Sequence, residues 1–433
     1  MPELGNVFDV LDARGFVAQV TDSDNIKAHL QAPTTCYIGF DPTADSLHVG
    51  SLVPILALVH MQRHGHRPIV LVGGGTGLVG DPSGKTEMRK LLGLEEIEAN
   101  VAALKRQLSQ FLDFSDGQAL LLNNADWLLP LGYIEFLRDI GKHFSVNRML
   151  AAESYRMRLE TGLNFIEFNY MLLQAYDFYY LAKKYDCCVQ MGGNDQWGNI
   201  VAGIELIRRK KHEAAFGITF PLLTTASGAK MGKTASGAIW LSATKTSPFD
   251  FYQYWINTDD RDVERFLKLY TFLPLSEIVQ TRNLQGEELN ACKTILAYEV
   301  TALTHGQEAA IAAYNAAAGV FGQRLLPADL LPSSSIPRSA QEKIGAVPTT
   351  FIAADRLQAG VPVCDLLVEV GLCSSKSAAR RLLQQGGAYV NNERIREIDS
   401  LITLSNLTEQ GIMLKAGKKK IHCIHLQKND FKA

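Results

Sequence analysis

Short apolar runs, each leading into a glycine-rich turn and then a helical pattern, recur in the first half of the chain. Residues 36–40, 69–72 and 188–191 form such runs and predict buried strands. Residues 200–207 follow the last of them with the apolar spacing of a helix. This alternation predicts an α/β fold with a parallel sheet whose carboxyl ends face a ligand.

Helical and irregular segments divide the rest of the chain. Residues 127–185 and 248–321 predict mainly helices, whereas the prolines and the triple serine between residues 326 and 350 predict a linker. We therefore predict a Rossmann-like nucleotide-binding domain over residues 1–240 with a helical insertion at about 127–185, a helical domain over 241–325, a linker over 326–350 and a small α+β module over 351–433.

The sequence also predicts where individual helices begin and where two short strands join. Ser46 is a good N-cap, and Pro54 lies deep enough in the helix that would follow to predict a kink. In the C-terminal module, two short helices are predicted to be capped near Asp365 and Ser374, followed by the strand–turn–strand AYVNNERI.

Composition narrows the class of protein. The 433 residues are 47% hydrophobic, which is enough for a substantial core, and no run of about 18 apolar residues predicts a membrane span. The N-terminus carries acidic residues where a signal peptide would be basic or apolar, so a cytoplasmic protein is predicted. Seven scattered cysteines without a CxxC spacing predict neither disulfides nor a protein-bound metal.

Charge is distributed unevenly. The chain has a net charge of −2, but residues 351–433 contain 12 basic against 8 acidic residues. A mildly basic C-terminal module therefore follows an acidic body.

The sequence YIGFDPTADSLHVGSL at residues 37–52 runs from a strand end through a polar turn into a helix start. A helix N-terminus attracts anions, Gly50 allows a planar base to approach the backbone, and His48 can donate to a phosphate oxygen. The alternative is an ordinary turn followed by a helix cap.

Two glycine patterns follow the second predicted strand. Gly75, Gly77 and Gly80 satisfy G-x-G-x-x-G and resemble a dinucleotide fingerprint, which keeps an NAD-dependent dehydrogenase as an alternative. The sequence GDPSGKT at residues 80–86 falls one residue short of a P-loop.

A polar stripe marks the apolar helix predicted near residues 165–185. Tyr170, Gln174 and Asp177 are spaced i, i+4 and i+7 and share one face. Because an unpaired buried carboxylate costs several kcal/mol, Asp177 must face a partner, a cavity or solvent. Either a ligand pocket or a structural polar contact satisfies that requirement.

Two further motifs lie later in the chain, at residues 192–199 and 230–234. GGNDQWGN at residues 192–199 forms a strand-to-helix turn at a predicted switch point of the sheet, where such turns approach ribose. KMGKT at residues 230–234 places two lysines in a loop flanked by small residues. In isolation these lysines would be solvated charges.

Taken together, these five motifs resemble the tyrosyl branch of the class I aminoacyl-tRNA synthetases, with residues 37–52 similar to the HIGH signature and KMGKT to the KMSKS loop. Ser51 and Ile38 depart from that pattern, at the second His and at a Cys that contacts ribose. By this resemblance ATP and L-tyrosine are substrates, Mg²⁺ arrives with ATP, and the protein holds no metal of its own.

The resemblance also assigns roles to residues. It implies that substrate tyrosine is bound by Tyr37, Asp81, Tyr170, Gln174, Asp177 and Gln196. It implies that ATP is bound by Gly39, Asp41, His48, Gly50, Gly193, Asp195 and Lys233. It implies that transition-state charge is stabilised by Thr43, His48, Lys85, Arg89, Lys230 and Lys233.

The C-terminal module resembles the small RNA-binding module that bacterial-type tyrosyl enzymes carry. Lys376, Arg380 and Arg381 share a helical face and, with Lys418 and Lys419, are predicted to bind the phosphates of tRNA(Tyr). A homodimer is expected, with contacts near Phe165. Besides a dehydrogenase, the alternatives are an inactive RNA-binding relative and the tryptophanyl sister enzyme.

Overall fold

The computed structural model describes residues 5–83, 92–160, 162–226, 228, 231–234, 237–322, 324–338, 348–391, 393–408, 411–417 and 420–427. Lys85, Arg89, Lys230, Lys418 and Lys419 lie outside these residues, and so does the side chain of Lys233.

A six-stranded sheet organises the N-terminal half, in the order β1-β6-β5-β2-β3-β4. All neighbouring pairs are parallel except β1 with β6. The predicted parallel sheet is therefore present, and its chain order reverses between β2 and β5. The strands are β1 (Gln19–Val20), β2 (Thr35–Phe40), β3 (Arg67–Val72), β4 (Leu120–Asn123), β5 (Cys187–Gly193) and β6 (Phe216–Phe220).

Helices cover both faces of this sheet. The central strands β2, β3 and β5 are buried almost throughout, as expected for a sheet covered on both sides. The helices are α1 (Val7–Arg14), α2 (Ser23–His29), α3 (Leu52–Arg63), α4 (Leu94–Leu108), α5 (Ala125–Leu128), α6 (Tyr133–Asp139), α7 (Val146–Leu150), α8 (Glu153–Leu159), α9 (Phe165–Phe168), α10 (Tyr170–Tyr185) and α11 (Trp197–Lys211).

The start of α3 differs from the prediction. Ser46 caps no helix; its hydroxyl donates to the carbonyl of Leu47. Instead His48 caps a 3₁₀ turn at Val49–Ser51, and α3 begins at Leu52. The predicted kink at Pro54 is absent because Pro54 lies in the first turn, where a backbone N–H has no intrahelical partner to lose.

The helical domain follows a short hairpin, β7 (Lys233–Thr234) with β8 (Gly237–Ala238). Ser247 caps its first helix by accepting from the N–H of Asp250, and Pro248 occupies the first turn. The helices are α12 (Pro248–Ile256), α13 (Val263–Tyr270), α14 (Leu275–Ile278), α15 (Gly286–His305) and α16 (Gln307–Phe321).

The first part of the predicted linker is packed against the helical domain. The carboxylate of Glu299 accepts from the hydroxyl of Ser334 at 2.6 Å and from the N–H of Ser335 at 3.0 Å. Leu331 and Ile336 are buried. Residues 324–338 thus lack helix, as their prolines predict, but they form an ordered strap.

The C-terminal module contains a sheet in the order β12-β11-β14-β15-β9, with a two-stranded β10–β13 pair beside it. Three helices bury the apolar face of the larger sheet. The elements are β9 (Thr349–Ile352), α17 (Ala354–Ala359), β10 (Val361–Pro362), α18 (Val363–Glu369), α19 (Lys376–Gln384), β11 (Ala388–Val390), β12 (Glu393–Arg394), β13 (Leu401–Ile402), β14 (Ile412–Ala416) and β15 (Lys420–Leu426).

The cap predicted near Ser374 lies one residue further along the chain, and the cap predicted near Asp365 was wrong. Pro362 precedes α18, so Asp365 lies in its first turn rather than at the cap, where a carboxylate still favours the helix dipole. Ser375, not Ser374, caps α19 by accepting from the N–H of Ala378. The helix α17 was not predicted.

Candidate active site

A cavity of about 480 Å³ opens at the carboxyl ends of β2 and β5, where the strand order reverses. It draws residues from six separate sequence segments. Thirteen of the predicted site residues line it: Tyr37, Gly39, Asp41, Thr43, His48, Gly50, Asp81, Tyr170, Gln174, Asp177, Gly193, Asp195 and Gln196.

Asp177 is held at the buried end of this cavity. It lies on α10 and is 2% exposed. The indole N–H of Trp127 donates to its Oδ1 at 2.7 Å, and the Asn124 amide donates to its Oδ2 at 2.9 Å. Burial nevertheless raises the pKa of Asp177 to about 7, against the lowering effect of these two donors. The carboxyl group is therefore oriented but is not compensated by a cation.

Tyr37 lines the same end of the cavity and is 1% exposed. Its hydroxyl has no hydrogen-bond partner among the described residues, and the same holds for Oε1 of buried Gln190. Burial first, and then the carboxylate of Asp177, raise the pKa of the Tyr37 phenol. Because buried polar atoms are normally paired, these two atoms indicate a polar ligand.

A second carboxylate lies further along the cavity. Asp81 is buried, and its Oδ2 accepts from the Gln196 amide at 2.7 Å while its Oδ1 accepts from the N–H of Ser83 at 2.8 Å. Burial, and then the neighbouring carboxylate of Asp41, raise the pKa of Asp81 to about 6. A ligand cation would relieve both effects.

Polar contacts fix the residues of the predicted α10 stripe. The Tyr170 hydroxyl donates to the carboxylate of Asp41 at 3.2 Å, and Oε1 of Gln174 accepts from the Asn199 amide at 2.9 Å. The stripe is therefore part of the cavity wall and not a contact with another domain.

The start of α3 forms the opposite wall. The N–H of Gly50 donates to Nδ1 of His48 at 3.0 Å, so the neutral imidazole carries its proton on Nε2 and offers a donor there. Gly232, in the middle of KMGKT, lies against this turn: a Cβ built on it would be 3.0 Å from the N–H nitrogen of Gly50. The lysine loop therefore packs directly on the predicted phosphate site.

The glycine pattern at residues 75–80 does not form a pyrophosphate cradle. The N–H groups of Gly74 and Gly75 donate to the side-chain oxygens of Asn123 and Asn124. A 3₁₀ turn, Thr76–Leu78, follows instead of the start of a long helix. The geometry of a dinucleotide fingerprint is absent; Gly75 packs closely against Leu128 and Asn124, and Gly77 against Pro42.

Four residues of the cavity and its support were not predicted from the sequence. Asn124, Gln190 and Trp240 line the cavity, and Trp127 orients Asp177. The sequence LLLNNADW could have revealed Asn124 and Trp127, since it places polar residues at the carboxyl end of β4. No comparable signal marks Gln190 inside a buried strand, or Trp240, which reaches the site through a backbone bridge to His48.

The two departures from the family signature lie in the cavity wall. Ile38 and Ser51 both line it. Ile38 is 2% exposed and offers no hydrogen-bond donor or acceptor from its side chain.

The predicted RNA surface lies on α19. Lys376, Arg380 and Arg381 are exposed, and Lys376 pairs with Asp365 at 2.8 Å. No group of three or more His, Cys, Asp or Glu side chains suited to a metal ion occurs in the described part of the chain. Among the described helices, none is long and apolar enough to cross a membrane.

A parallel sheet with a cavity where its strand order reverses is typical of α/β proteins that bind a ligand at that point. The chain belongs to the class I tRNA synthetases, because the family model described as tRNA synthetases class I (W and Y) matches residues 29–322. A second model, the Tyrosine--tRNA ligase SYY-like C-terminal domain, matches residues 340–424.

Within that class the chain is a member of the tyrosine–tRNA ligase family. It is 58% identical over 426 residues to the tyrosine–tRNA ligase of Syntrophus aciditrophicus, covering 98% of this chain and 100% of that one. It is 60% identical over 421 residues to that of Desulfatibacillum aliphaticivorans, with 96% and 98% covered.

A solved structure shows the same fold. The C-terminally truncated mitochondrial tyrosyl-tRNA synthetase of Aspergillus nidulans superposes with a TM-score of 0.64 at 32% identity. The match covers 71% of this chain and 92% of that structure. The predictions of family and fold class are thereby confirmed.

Proposed function

We propose that this chain activates L-tyrosine with ATP, releasing pyrophosphate, and then transfers tyrosine to the 3′ end of tRNA(Tyr). Tyrosine is proposed as the amino acid because Tyr37 and Asp177 lie together at the buried end of the cavity. A substrate phenol donates to Asp177 and accepts from Tyr37. Phenylalanine would leave both groups unpaired, and an indole has no oxygen to accept from Tyr37.

The ammonium group of tyrosine is assigned to the polar residues next along the cavity. Asp81 supplies the carboxylate, and its raised pKa falls when a cation binds beside it. Tyr170 and Gln174 complete this part of the site from α10. Gln196, which donates to Asp81, lies where the substrate carboxylate would be held.

ATP is assigned to the two turns on either side of the sheet reversal. We place its phosphates at His48 and its base and ribose against the remaining residues, with Mg²⁺ carried on the phosphates. The residues proposed for ATP are Gly39, Asp41, His48, Gly50, Gly193, Asp195 and Lys233.

The chemistry needs no enzyme nucleophile. An oxygen of the tyrosine carboxylate forms a bond to the α-phosphorus, the bond to the bridging oxygen breaks, and pyrophosphate leaves with its electron pair. A ribose hydroxyl of tRNA then attacks the acyl carbon and displaces AMP. Catalysis is therefore positioning and charge stabilisation, for which we propose Thr43, His48, Lys85, Arg89, Lys230 and Lys233.

The proposal extends to the RNA partner, the cellular location and the oligomeric state. We infer that tRNA(Tyr) binds the exposed basic face of α19, that the protein acts in the cytoplasm, and that it is a homodimer. The helical insertion supports the last proposal, because exposed large apolar side chains cluster there: Leu129, Tyr133, Ile134, Val146, Met157, Leu159 and Phe165.

Two measurements test the proposed reaction. Exchange of labelled pyrophosphate into ATP should depend on tyrosine and should fail with phenylalanine or tryptophan. Charging of tRNA(Tyr) should follow. Exchange without charging would leave only the activation step, whereas RNA binding without exchange would favour an inactive RNA-binding relative.

A further inference from the structure

A second cavity, of about 170 Å³, lies within the helical domain and takes no part in the proposed reaction. It sits among α12, α15, α16 and the start of the strap. Its lining residues are Tyr252, Gln253, Ile256, Asn257, Thr294, Tyr314, Ala317, Ala318, Gly322 and Arg324. None of these is acidic, and one is a cation.

Two polar groups at this cavity are buried without a partner. Tyr252 is 0% exposed and Gln253 is 7% exposed. In the described part of the chain, neither the Tyr252 hydroxyl nor Nε2 of Gln253 has a hydrogen-bond partner. Buried donors in folded proteins are nearly always paired, so two unpaired donors at one cavity indicate that a ligand completes them.

Arg324 sets the charge of the ligand. Its Nη1 donates to the carbonyl of Asn290 at 2.9 Å and to the Thr294 hydroxyl at 3.1 Å, which fixes the guanidinium at the cavity. Burial lowers the pKa of Arg324, the effect expected of a half-buried cation without a facing carboxylate. The cavity therefore combines a fixed positive charge with two donors.

We propose that this cavity binds a small free oxyanion, with inorganic phosphate as the representative ligand. Guanidinium, amide and hydroxyl donors are the groups that bind oxyanions, and the absence of an acidic lining residue removes the usual repulsion. The volume is sufficient for one phosphate with a water molecule but small for a nucleotide. The ligand would join α12 and α15 to the chain that leaves α16.

The test uses the full-length protein with a non-hydrolysable tyrosyl-adenylate analogue filling the active site. Inorganic phosphate is titrated calorimetrically, and the shift in melting temperature is recorded. Tyr252→Phe removes only the unpaired hydroxyl, so the ligand-free protein should melt no lower than the wild type, yet phosphate should bind roughly ten-fold more weakly. A purely structural hydroxyl would give the opposite result for stability.

Arg324→Gln supplies a second variant, in which the amide keeps donors but loses the charge, and phosphate binding should again fall by roughly ten-fold or more. Arg282→Gln is the matched control, since Arg282 is an exposed arginine of the same domain paired with Glu264. Equal phosphate binding by all four proteins, or none by the wild type, would overturn the proposal. So would a loss of tRNA affinity in Tyr252→Phe without any phosphate effect, because the cavity would then belong to RNA.

Discussion

At the residue scale, the buried end of the active-site cavity is incomplete without a ligand. Trp127 and Asn124 already donate to Asp177, and stacking on Tyr180 with ring centroids 4.4 Å apart holds the Trp127 ring. Tyr37 has no comparable support from the described residues. The two sides of the proposed phenol site therefore differ. Asp177 is held in place by protein donors, whereas the Tyr37 hydroxyl would gain its partner only from the substrate.

Tyr37→Phe should weaken tyrosine binding without destabilising the protein. The hydroxyl loses no protein partner, so unfolding should be almost unchanged, while tyrosine affinity should fall by about 1 kcal/mol, or roughly five-fold. Tyrosine-dependent pyrophosphate exchange and thermal denaturation measure the two effects. Tyr270→Phe is the control, because its hydroxyl is also buried without a partner among the described residues but lies in the helical domain. A large loss of stability in Tyr37→Phe would contradict this account.

Tyrosine affinity should also depend on pH. The pKa of Asp177 is about 7 in the folded chain against a usual value of 3.8. Ionising it therefore costs folding free energy as the pH rises from about 4 to about 7, whereas an ionised carboxylate is the better acceptor for the phenol.

Affinity should consequently rise about ten-fold between pH 6 and pH 8, as the ionised fraction increases from roughly a tenth to nine tenths. Equilibrium titrations with tyrosine at a series of pH values measure this. Asp177→Asn should lose the step near pH 7 and keep a smaller one near pH 6, where Asp81 titrates. A wild-type affinity that does not change with pH would refute the assignment.

Thirteen residues that line the cavity could be predicted because they lie in sequence motifs with a recognisable order. Gln190 and Trp240 could not, because each reaches the cavity through pairing between segments distant in sequence: β5 with β2, and Trp240 with His48. The pKa of Asp177 was also beyond sequence analysis, since it depends on burial that only the packed α10 produces.

At the scale of elements, the turn before α3 packs closely against the imidazole of His48 and the backbone of Met231. A Cβ at Gly50 would lie 2.8 Å from Cε1 of His48 and 3.3 Å from the carbonyl oxygen of Met231. The imidazole and the backbone of Met231 therefore meet at Gly50, where an added Cβ would force the imidazole or the backbone to shift. The sequence predicted a helix start there but placed it too early, because the 3₁₀ turn and the bridge to Trp240 are set by tertiary contacts.

Gly50→Ala should slow tyrosine activation by roughly ten- to a hundred-fold, since the imidazole or the loop must move by a few tenths of an ångström or more. Tyrosine affinity should change little. Rapid-mixing measurements of adenylate formation separate the two quantities. Gly93→Ala provides the comparison, because no atom of the described residues lies within 4 Å of the position that its new Cβ would take. Equal rates in both variants would show that the turn tolerates displacement.

At the scale of the whole molecule, the strap at residues 324–338 packs against the helical domain, and α19 belongs to the C-terminal module that follows later in the chain. Lys376 is neutralised by Asp365, so Arg380 and Arg381 carry the exposed charge of α19. The division into domains stays a prediction from composition and prolines. The ordered strap could not be predicted, because its contacts with Glu277 and Glu299 join residues far apart in sequence.

The double variant Arg380→Gln, Arg381→Gln should raise KM for tRNA and reduce the slope of log affinity against log salt by up to about 2, because each arginine can neutralise one phosphate. Pyrophosphate exchange should be unchanged. Filter binding over a salt series checks the slope. Arg356→Gln, in the same module but paired with Glu369 at 2.6 Å, should alter neither quantity. An unchanged slope in the double variant would place the RNA elsewhere.

The helical insertion exposes large apolar side chains, and we predict that they form the interface of the proposed dimer. Phe165 is 69% exposed and Ile134 is 73% exposed. Leaving such large apolar side chains in water is unfavourable, so an exposed group of them indicates an interaction surface. Phe165→Glu with Ile134→Glu should convert the proposed dimer to a monomer, since burying two carboxylates at an interface costs several kcal/mol. Light scattering after size exclusion measures the mass. Leu325→Glu alters an even more exposed apolar residue outside the insertion and should leave the dimer intact. A monomeric wild type would contradict the dimer itself, and a dimeric double variant would place its interface on another face.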